Sequence, residues 1–360
     1  KVFLITPPFT QLNTPYPASA YIKGFLNTKN MESVQADLGI EVILELFSKT
    51  GLEKLFQIKS EQLKVEEHSP NAQRILALQN EYIKTIDAVI GFLQGKNPTL
   101  ALQICQEDFL PEASRFSQLE EMDWAFGTMG TQDKAKHLAT LYLEDISDFI
   151  VECVDENFGF SRYAERLGRS ANSFDELYEA LQKEPTYIDE ILISILEKKV
   201  EVIQPNFFLI SVPFPGNLYA AFRSAQWVKK HHPNIKIAMG GGFPNTELRS
   251  LSDKRVFEFF DYITLDDGEL PVELLIENEY KISDKEYKRT FLLENGEVVY
   301  KNNSSRLDYK QSQVGTPDYS DLFLDKYISV IEIVNPMHRM WSDGRWNKLT
   351  MAHGCYWGKC

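Results

Sequence analysis

Hydrophobic residues in two stretches of the chain, residues 1–48 and 204–282, follow an alternating pattern of strands and helices. Five strand candidates, of which the first is a short apolar run rich in β-branched and aromatic residues, are each followed by a predicted helix. Repeated units of this kind are typical of α/β proteins. We therefore predict an open parallel five-stranded sheet with helices on both faces. The predicted strands lie within KVFLITPPF, ESVQADLG, PNFFLISVPFPGN, NIKIAMGGGFPN and DYITLDDGE.

The pattern changes between residues 49 and 203, where apolar residues recur at helical spacing. We interpret this stretch as a large all-α insertion that interrupts the sheet domain.

A hairpin is predicted after residue 283, because Asn295-Gly296 separates two extended runs in KRTFLLENGEVVYKN. A connector rich in Asp, Ser and Tyr follows, and NKLTMAHG has the pattern of a strand that begins a further unit. The predicted boundaries are 283–346 for the hairpin and connector and 347–360 for the further unit.

Composition and charge narrow the class of protein. Hydrophobic residues make up 43% of the 360 positions, which is enough for well-packed cores. The formal net charge of −14 argues against nucleic acid and anionic membranes as partners. No apolar run reaches the roughly 18–20 residues that a membrane span requires. The four cysteines are too few for a disulfide scaffold, so we expect a reducing, cytoplasmic setting with Cys105 and Cys153 as buried thiols.

Ligands of open parallel sheets bind beyond the carboxyl ends of the strands, so the loops at those ends are candidate binding residues. Glycines there allow a ligand to approach the backbone, although glycine runs are also typical of ordinary turns. The acidic loop after the fifth strand also has the pattern of a helix N-cap. The candidates are Pro7, Pro8, Phe9, Tyr16, Pro17 and Ser19 after the first strand, Ser211, Val212 and Pro213 after the third, Gly240, Gly241 and Gly242 after the fourth, and Asp267 and Glu269 after the fifth.

Two common nucleotide sites are not indicated. A dinucleotide fold requires G-x-G-x-x-G directly after the first strand, and the chain has TPPFTQ there. The phosphate-loop pattern G-x-x-x-x-G-K-[ST] does not occur in the sequence.

A pair of cysteines, Cys355 and Cys360, follows the last predicted strand in LTMAHGCYWGKC. Thiolates at this spacing fit an iron–sulfur cluster, one half of a zinc site, or two thiols without a metal. The spacing alone leaves these three interpretations open.

The order of these segments resembles that of radical S-adenosylmethionine enzymes with an N-terminal cobalamin-binding domain. The segments that carry the resemblance are FLITPPF, PYPASAYIKGFL, FFLISVPFP, IKIAMGGGFPN, DYITLDDGELPVELL, TPDYSDLFLDKY and MAHGCYWGKC. The family order implies a Rossmann-like sheet, a connector and then the first strand of a partial barrel that delivers a cysteine loop.

The resemblance implies a cobalamin site at the strand ends. The nucleotide tail would lie beside Ser211 and the three glycines, and the corrin face near the loops of residues 7–9 and 16–19. No histidine occurs between the first strand and His68, so we expect no cobalt ligand from that loop.

The resemblance also implies a 4Fe–4S cluster with Cys355 and Cys360 as ligands. Family members usually have C-x-x-x-C-x-x-C, whereas four residues separate the two cysteines here and a third would lie after residue 360. We therefore expect the chain to be the N-terminal part of a longer enzyme and inactive by itself.

The expected activity of the complete enzyme is radical-mediated C–H activation of a small-molecule substrate, with methyl transfer as a further step. It would use S-adenosylmethionine and an electron donor such as ferredoxin or flavodoxin. Two alternatives are a radical enzyme whose sheet holds no cobalamin and a non-catalytic small-molecule-binding module.

Overall fold

The computed structural model describes residues 1–60, 68–106, 108–121, 123–169 and 173–330. The unit predicted at 347–360, with Cys355 and Cys360, lies outside the described residues. Within them the chain forms a sheet with helices packed against both of its faces.

The sheet confirms the predicted α/β class. Five strands run parallel in the order β2-β1-β3-β4-β5, and the predicted hairpin adds β6 and β7 as antiparallel strands beyond β5. The prediction placed the hairpin outside the sheet, whereas its pairing with β5 makes the sheet seven-stranded. The strands are β1 (Val2–Thr6), β2 (Ser33–Asp37), β3 (Phe207–Ser211), β4 (Lys236–Gly240), β5 (Tyr262–Thr264), β6 (Thr290–Glu294) and β7 (Glu297–Lys301).

The helices occupy the positions that the periodicity predicts, including the stretch between β2 and β3. The longest, α7, is interrupted at Gly130, whose φ of 81° departs from helical geometry. The helices are α1 (Ala18–Thr28), α2 (Leu38–Leu46), α3 (Lys49–Ser60), α4 (Pro70–Ala77), α5 (Gln79–Leu93), α6 (Ala101–Ile104), α7 (Asp123–Cys153), α8 (Glu165–Arg169), α9 (Asp175–Gln182), α10 (Tyr187–Ile203), α11 (Leu218–His231), α12 (Gly242–Glu247) and α13 (Glu269–Asn278).

The two faces of the sheet bury separate apolar cores, because alternate side chains of a strand point to opposite faces. Phe3 and Ile5 face a large core that includes α2, α11 and the helices between β2 and β3. Val2 and Leu4 face a smaller core that includes α1 and α13. The helices between β2 and β3 therefore share one core with the sheet.

A buried ion pair joins these helices to the sheet domain. Asp189 in the first turn of α10 is fully buried and lies 3.1 Å from the guanidinium of Arg223 in α11. The hydroxyls of Tyr163 and Tyr219 also donate to the Asp189 carboxylate. Because a buried carboxylate must be paired, these bonds fix α10 against α11.

The connector packs along α1 and β2. The ammonium of Lys23 in α1 pairs with Asp321 and lies 3.7 Å from Asp318. Further along, the Tyr327 hydroxyl donates to Asp37 at 2.7 Å, and the amide of Ile328 donates to a carbonyl in the loop after β1. The connector thus reaches the carboxyl edge of the sheet near residue 328. No helix in the described ranges is both long and apolar enough to cross a membrane.

Candidate functional site

A cavity of about 440 Å³ lies at the carboxyl ends of β1, β3, β4 and β5. It lies on the face of the sheet against which α1 and α13 pack. In the sheet, β1 lies between β2 on one side and β3 on the other, so the direction in which strands are added reverses between β1 and β3. The cavity at the ends of these strands therefore lies at the topological switch point of the sheet. Its inner wall is apolar and includes Leu4, Leu209, Ala238 and Val272.

Ser211 contributes an unusual polar group to this cavity. It ends β3 and lies two positions after Leu209, so its side chain shares the face of the sheet that lines the cavity. Its hydroxyl is inaccessible to solvent and has no hydrogen-bond partner among the described residues. A buried hydroxyl without a partner costs about 1–3 kcal/mol, so a ligand that bonds to it relieves that cost.

The glycines after β4 have two different functions. Gly240 lines the cavity, and a Cβ at this position would lie 3.0 Å from the hydroxyl of Thr264. Gly241 has a φ of 110°, and a Cβ there would lie 2.6 Å from the carbonyl oxygen of Val212. Gly240 therefore keeps the strand end open, and Gly241 is required by the close approach of two loops.

Aromatic side chains flank the entrance of the cavity. Tyr16 lines it, and burial raises the pKa of its hydroxyl. The Tyr16 ring packs edge-on against the half-exposed ring of Phe214, with a centroid distance of 5.7 Å. These rings offer an apolar edge to a flat ligand.

An acidic loop forms the opposite edge, and a single arginine fixes its backbone. Arg289 donates to the carbonyl oxygens of Leu265 and Asp267 at 3.3 Å and 3.2 Å. The same guanidinium forms two bonds to Asp308, at 2.7 Å and 2.8 Å. Glu269 opens α13, where a negative charge stabilises the helix dipole.

The cavity collects eight of the fourteen predicted binding residues. It also includes residues that the sequence did not single out, such as Tyr21, Ile22, Thr264, Asp266 and Gly268. The alternation of faces along β5 is a signal for Thr264, whereas the packing of α1 decides which of its residues reach the cavity. The predicted residues that line it are Tyr16, Pro17, Ser19, Ser211, Gly240, Gly241, Asp267 and Glu269.

The other six predicted residues support loops around the cavity without lining it. Phe9 is fully buried, and its ring packs 5.6 Å from that of Phe158. The side-chain amide of Asn217 donates to the carbonyl oxygens of Pro7 and Phe9, at 2.8 Å and 2.9 Å. Their contact with a corrin face stays a prediction. The six are Pro7, Pro8, Phe9, Val212, Pro213 and Gly242.

Val212 and Gly242 belong to a backbone brace between two loops. The amide of Val212 donates to Gly240, and its carbonyl accepts from Phe243. A Cβ at Gly242 would lie 2.6 Å from the carbonyl oxygen of Pro213. This brace holds the ends of β3 and β4 in register at the edge of the cavity.

The residues present fit the nucleotide tail of a corrinoid. The volume lies within the usual range of about 300–1,000 Å³ for small-molecule sites, with an apolar wall beside the Ser211 hydroxyl and acidic residues in the loop after β5. No histidine is among the described residues that line the cavity.

The fold and the cavity define the class of this chain as an open-sheet α/β protein with a small-molecule cavity at its switch point. Comparison with protein-family models, curated proteins and solved structures finds no match.

Proposed function

We propose that this chain is the cobalamin-binding part of a radical S-adenosylmethionine enzyme. The observation that carries the proposal is the unpartnered Ser211 hydroxyl in an apolar cavity at the switch point. Such a site suits a flat, largely apolar group with one hydrogen-bonding atom, which describes the dimethylbenzimidazole base at the end of the nucleotide tail of cobalamin.

Each part of the cavity has a separate task in this proposal. Ser211 forms a hydrogen bond with the tail, and Gly240 allows the tail to approach the end of β4. Leu4, Leu209 and Ala238 exclude water from the buried end. When bound, cobalamin supplies a transferable methyl group, and the protein positions it.

The course of the connector supports the radical part of the proposal. The amide of Ile328 donates to the carbonyl of Leu12 at 2.9 Å, and that of Ser329 donates to Leu93 at 2.9 Å. Leu12 belongs to the loop after β1, so the described chain leaves the sheet from the edge that carries the cavity. The sequence after residue 330 leads to Cys355 and Cys360. In the proposal these cysteines bind a 4Fe–4S cluster that receives its electron from ferredoxin or flavodoxin.

Two corrinoids test the cobalamin site. Hydroxocobalamin has the nucleotide tail, and cobinamide has the same ring without it. We expect the protein to retain hydroxocobalamin through gel filtration and to bind cobinamide at least about tenfold more weakly, because cobinamide does not fill the cavity.

The variant Ala238→Leu fills the cavity from its wall. We expect it to weaken hydroxocobalamin binding and to leave cobinamide binding unchanged, with a fold that circular dichroism finds intact. Equal binding of the two corrinoids would place the tail outside the cavity. No binding of either would favour a scaffold without cobalamin.

The cluster is tested in the longer protein after anaerobic reconstitution with iron and sulfide. Cys355→Ala and Cys360→Ala are expected to abolish the absorbance of the cluster, and Cys105→Ala is the matched control. Full iron content in both terminal variants would exclude this cysteine pair as cluster ligands.

A further inference from the structure

A group of three metal-binding side chains lies far along the chain from the cavity residues, in the helical stretch between β2 and β3. His68 precedes α4, and Glu152 and Cys153 end α7. One donor atom from each side chain lies within 4.8 Å of the other two. The His68 Nδ1 atom is 3.6 Å from the Cys153 sulfur and 3.6 Å from a Glu152 carboxylate oxygen.

These separations match those of ligands around a tetrahedral ion. Zinc bonds of about 2.3 Å to sulfur and about 2.0 Å to nitrogen or oxygen place sulfur and nitrogen about 3.5 Å apart. The same bonds place nitrogen and oxygen about 3.3 Å apart. Both observed distances are thus close to the edges of such a tetrahedron. A mixed set of thiolate, imidazole and carboxylate is typical of zinc.

Neighbouring groups hold the carboxylate in position. Ser69 donates to Glu152 twice, through its amide at 2.8 Å and through its hydroxyl at 2.6 Å. A carboxylate oxygen that accepts one hydrogen bond retains a lone pair for a metal. Bonds of this kind orient metal ligands in known sites.

The electrostatic surroundings also favour a cation. Glu152 and Cys153 are the last two residues of α7, where the helix dipole places partial negative charge. The Cys153 sulfur is buried, while the side chains of His68 and Glu152 are 18% and 35% exposed. Solvent therefore reaches the His68 and Glu152 side chains, so a water molecule can supply a fourth ligand.

We propose that His68, Glu152 and Cys153 bind a divalent zinc ion. Binding releases the thiol proton of Cys153 to solvent, and a water molecule completes the tetrahedron. The ion joins the start of α4 to the end of α7, across 85 positions of the chain, and stabilises the helical stretch. This site is independent of the corrinoid cavity.

Cobalt(II) serves as a spectroscopic probe for this site. The background is a Cys355→Ser/Cys360→Ser double variant, because Cys355 and Cys360 are the proposed cluster ligands. We expect a thiolate-to-cobalt charge-transfer band that saturates at one metal per chain and disappears when zinc is added. Cys153→Ser is expected to abolish the band, and Cys105→Ser, the matched thiol control, is expected to retain it.

Two milder variants separate metal binding from folding. His68→Asn leaves the buried thiol in place and is expected to weaken cobalt binding at least about tenfold. Ser69→Ala keeps all three ligands but also removes the side-chain cap of α4, so it is compared where circular dichroism finds the helices intact. We expect it to weaken cobalt binding about 10- to 100-fold through the loss of the orienting bond. The absence of a saturable band in the background variant would overturn the proposal. So would a band that Cys153→Ser or His68→Asn leaves unchanged. Hydroxocobalamin binding is expected to be equal in all these variants.

Discussion

Replacing Ser211 by alanine tests the cavity through two opposite effects. The Ser211 hydroxyl is buried beside the cavity and has no partner among the described residues. Removing it eliminates the cost of burying an unsatisfied polar group, which is about 1–3 kcal/mol of unfolding free energy. Because the Ser211 residue is only partly buried, we expect the lower end of that range, about 1 kcal/mol of added stability without ligand.

The same substitution is expected to weaken ligand binding. In the proposed complex it removes the hydrogen bond between Ser211 and the corrinoid tail, which would contribute about 0.5–1.5 kcal/mol. The Kd for hydroxocobalamin should therefore rise about 2- to 13-fold. Added stability together with lower affinity is the result expected when a buried hydroxyl lacks a partner in the free protein and gains one from the ligand.

Calorimetry and absorbance titration measure the two effects. We expect the Tm of the ligand-free Ser211→Ala variant to rise by about 1–3 °C. The matched control is Ser224→Ala, since Ser224 is fully buried but its hydroxyl already donates to Ala220 at 2.7 Å. The control should leave the affinity for hydroxocobalamin unchanged. A less stable Ser211→Ala protein, or one with unchanged affinity, would refute the reasoning.

Three further predictions concern the fold around the site. Gly241→Ala should lower the free energy of unfolding, measured in urea, by more than about 2 kcal/mol, because φ is positive there and a Cβ would meet backbone atoms. Gly91→Ala is the control, since a Cβ at that position has open space and should not cause such a loss. Equal losses in the two variants would contradict the geometry. Burial raises the pKa of Asp37 from 3.8 to about 6, so its contribution to stability is present below about pH 4 and is lost as the pH rises through 6. The Asp37→Asn variant should thus become more stable relative to the natural protein as the pH rises through 6. A difference in unfolding free energy that does not change with pH would contradict this prediction. Lys23→Met leaves Asp321 without its ion-pair partner, so we expect the free energy of unfolding to fall by about 1–3 kcal/mol. The connector should also be cleaved faster by proteases, and an unchanged cleavage rate would contradict its docking on α1.

The strand and helix pattern predicted the fold well, because four of the five parallel strands are largely buried on both faces and have short apolar sequences, with the edge strand β2 as the exception. Phe3 and Ile5 face one core, and Val2 and Leu4 face the other. The place of the hairpin was harder to predict. Its turn is local chemistry at Asn295-Gly296, but its pairing with β5 is a tertiary contact that no local pattern encodes.

The sequence predicted the site residues at the strand ends better than the contacts that depend on tertiary packing. Ser211 and Gly240 are the last residues of β3 and β4, so the rule for strand ends identified them. Phe9 follows a strand as well, yet it packs against Phe158 from the helical stretch. The group of His68, Glu152 and Cys153 left no local signal, because folding alone brings the start of α4 to the end of α7.

A crystal structure of the protein grown with hydroxocobalamin tests the central claim most directly. The account predicts the nucleotide tail inside the switch-point cavity, with a polar atom within hydrogen-bond distance of the Ser211 hydroxyl. A corrinoid bound elsewhere, or a cavity that stays empty at saturating hydroxocobalamin, would contradict it.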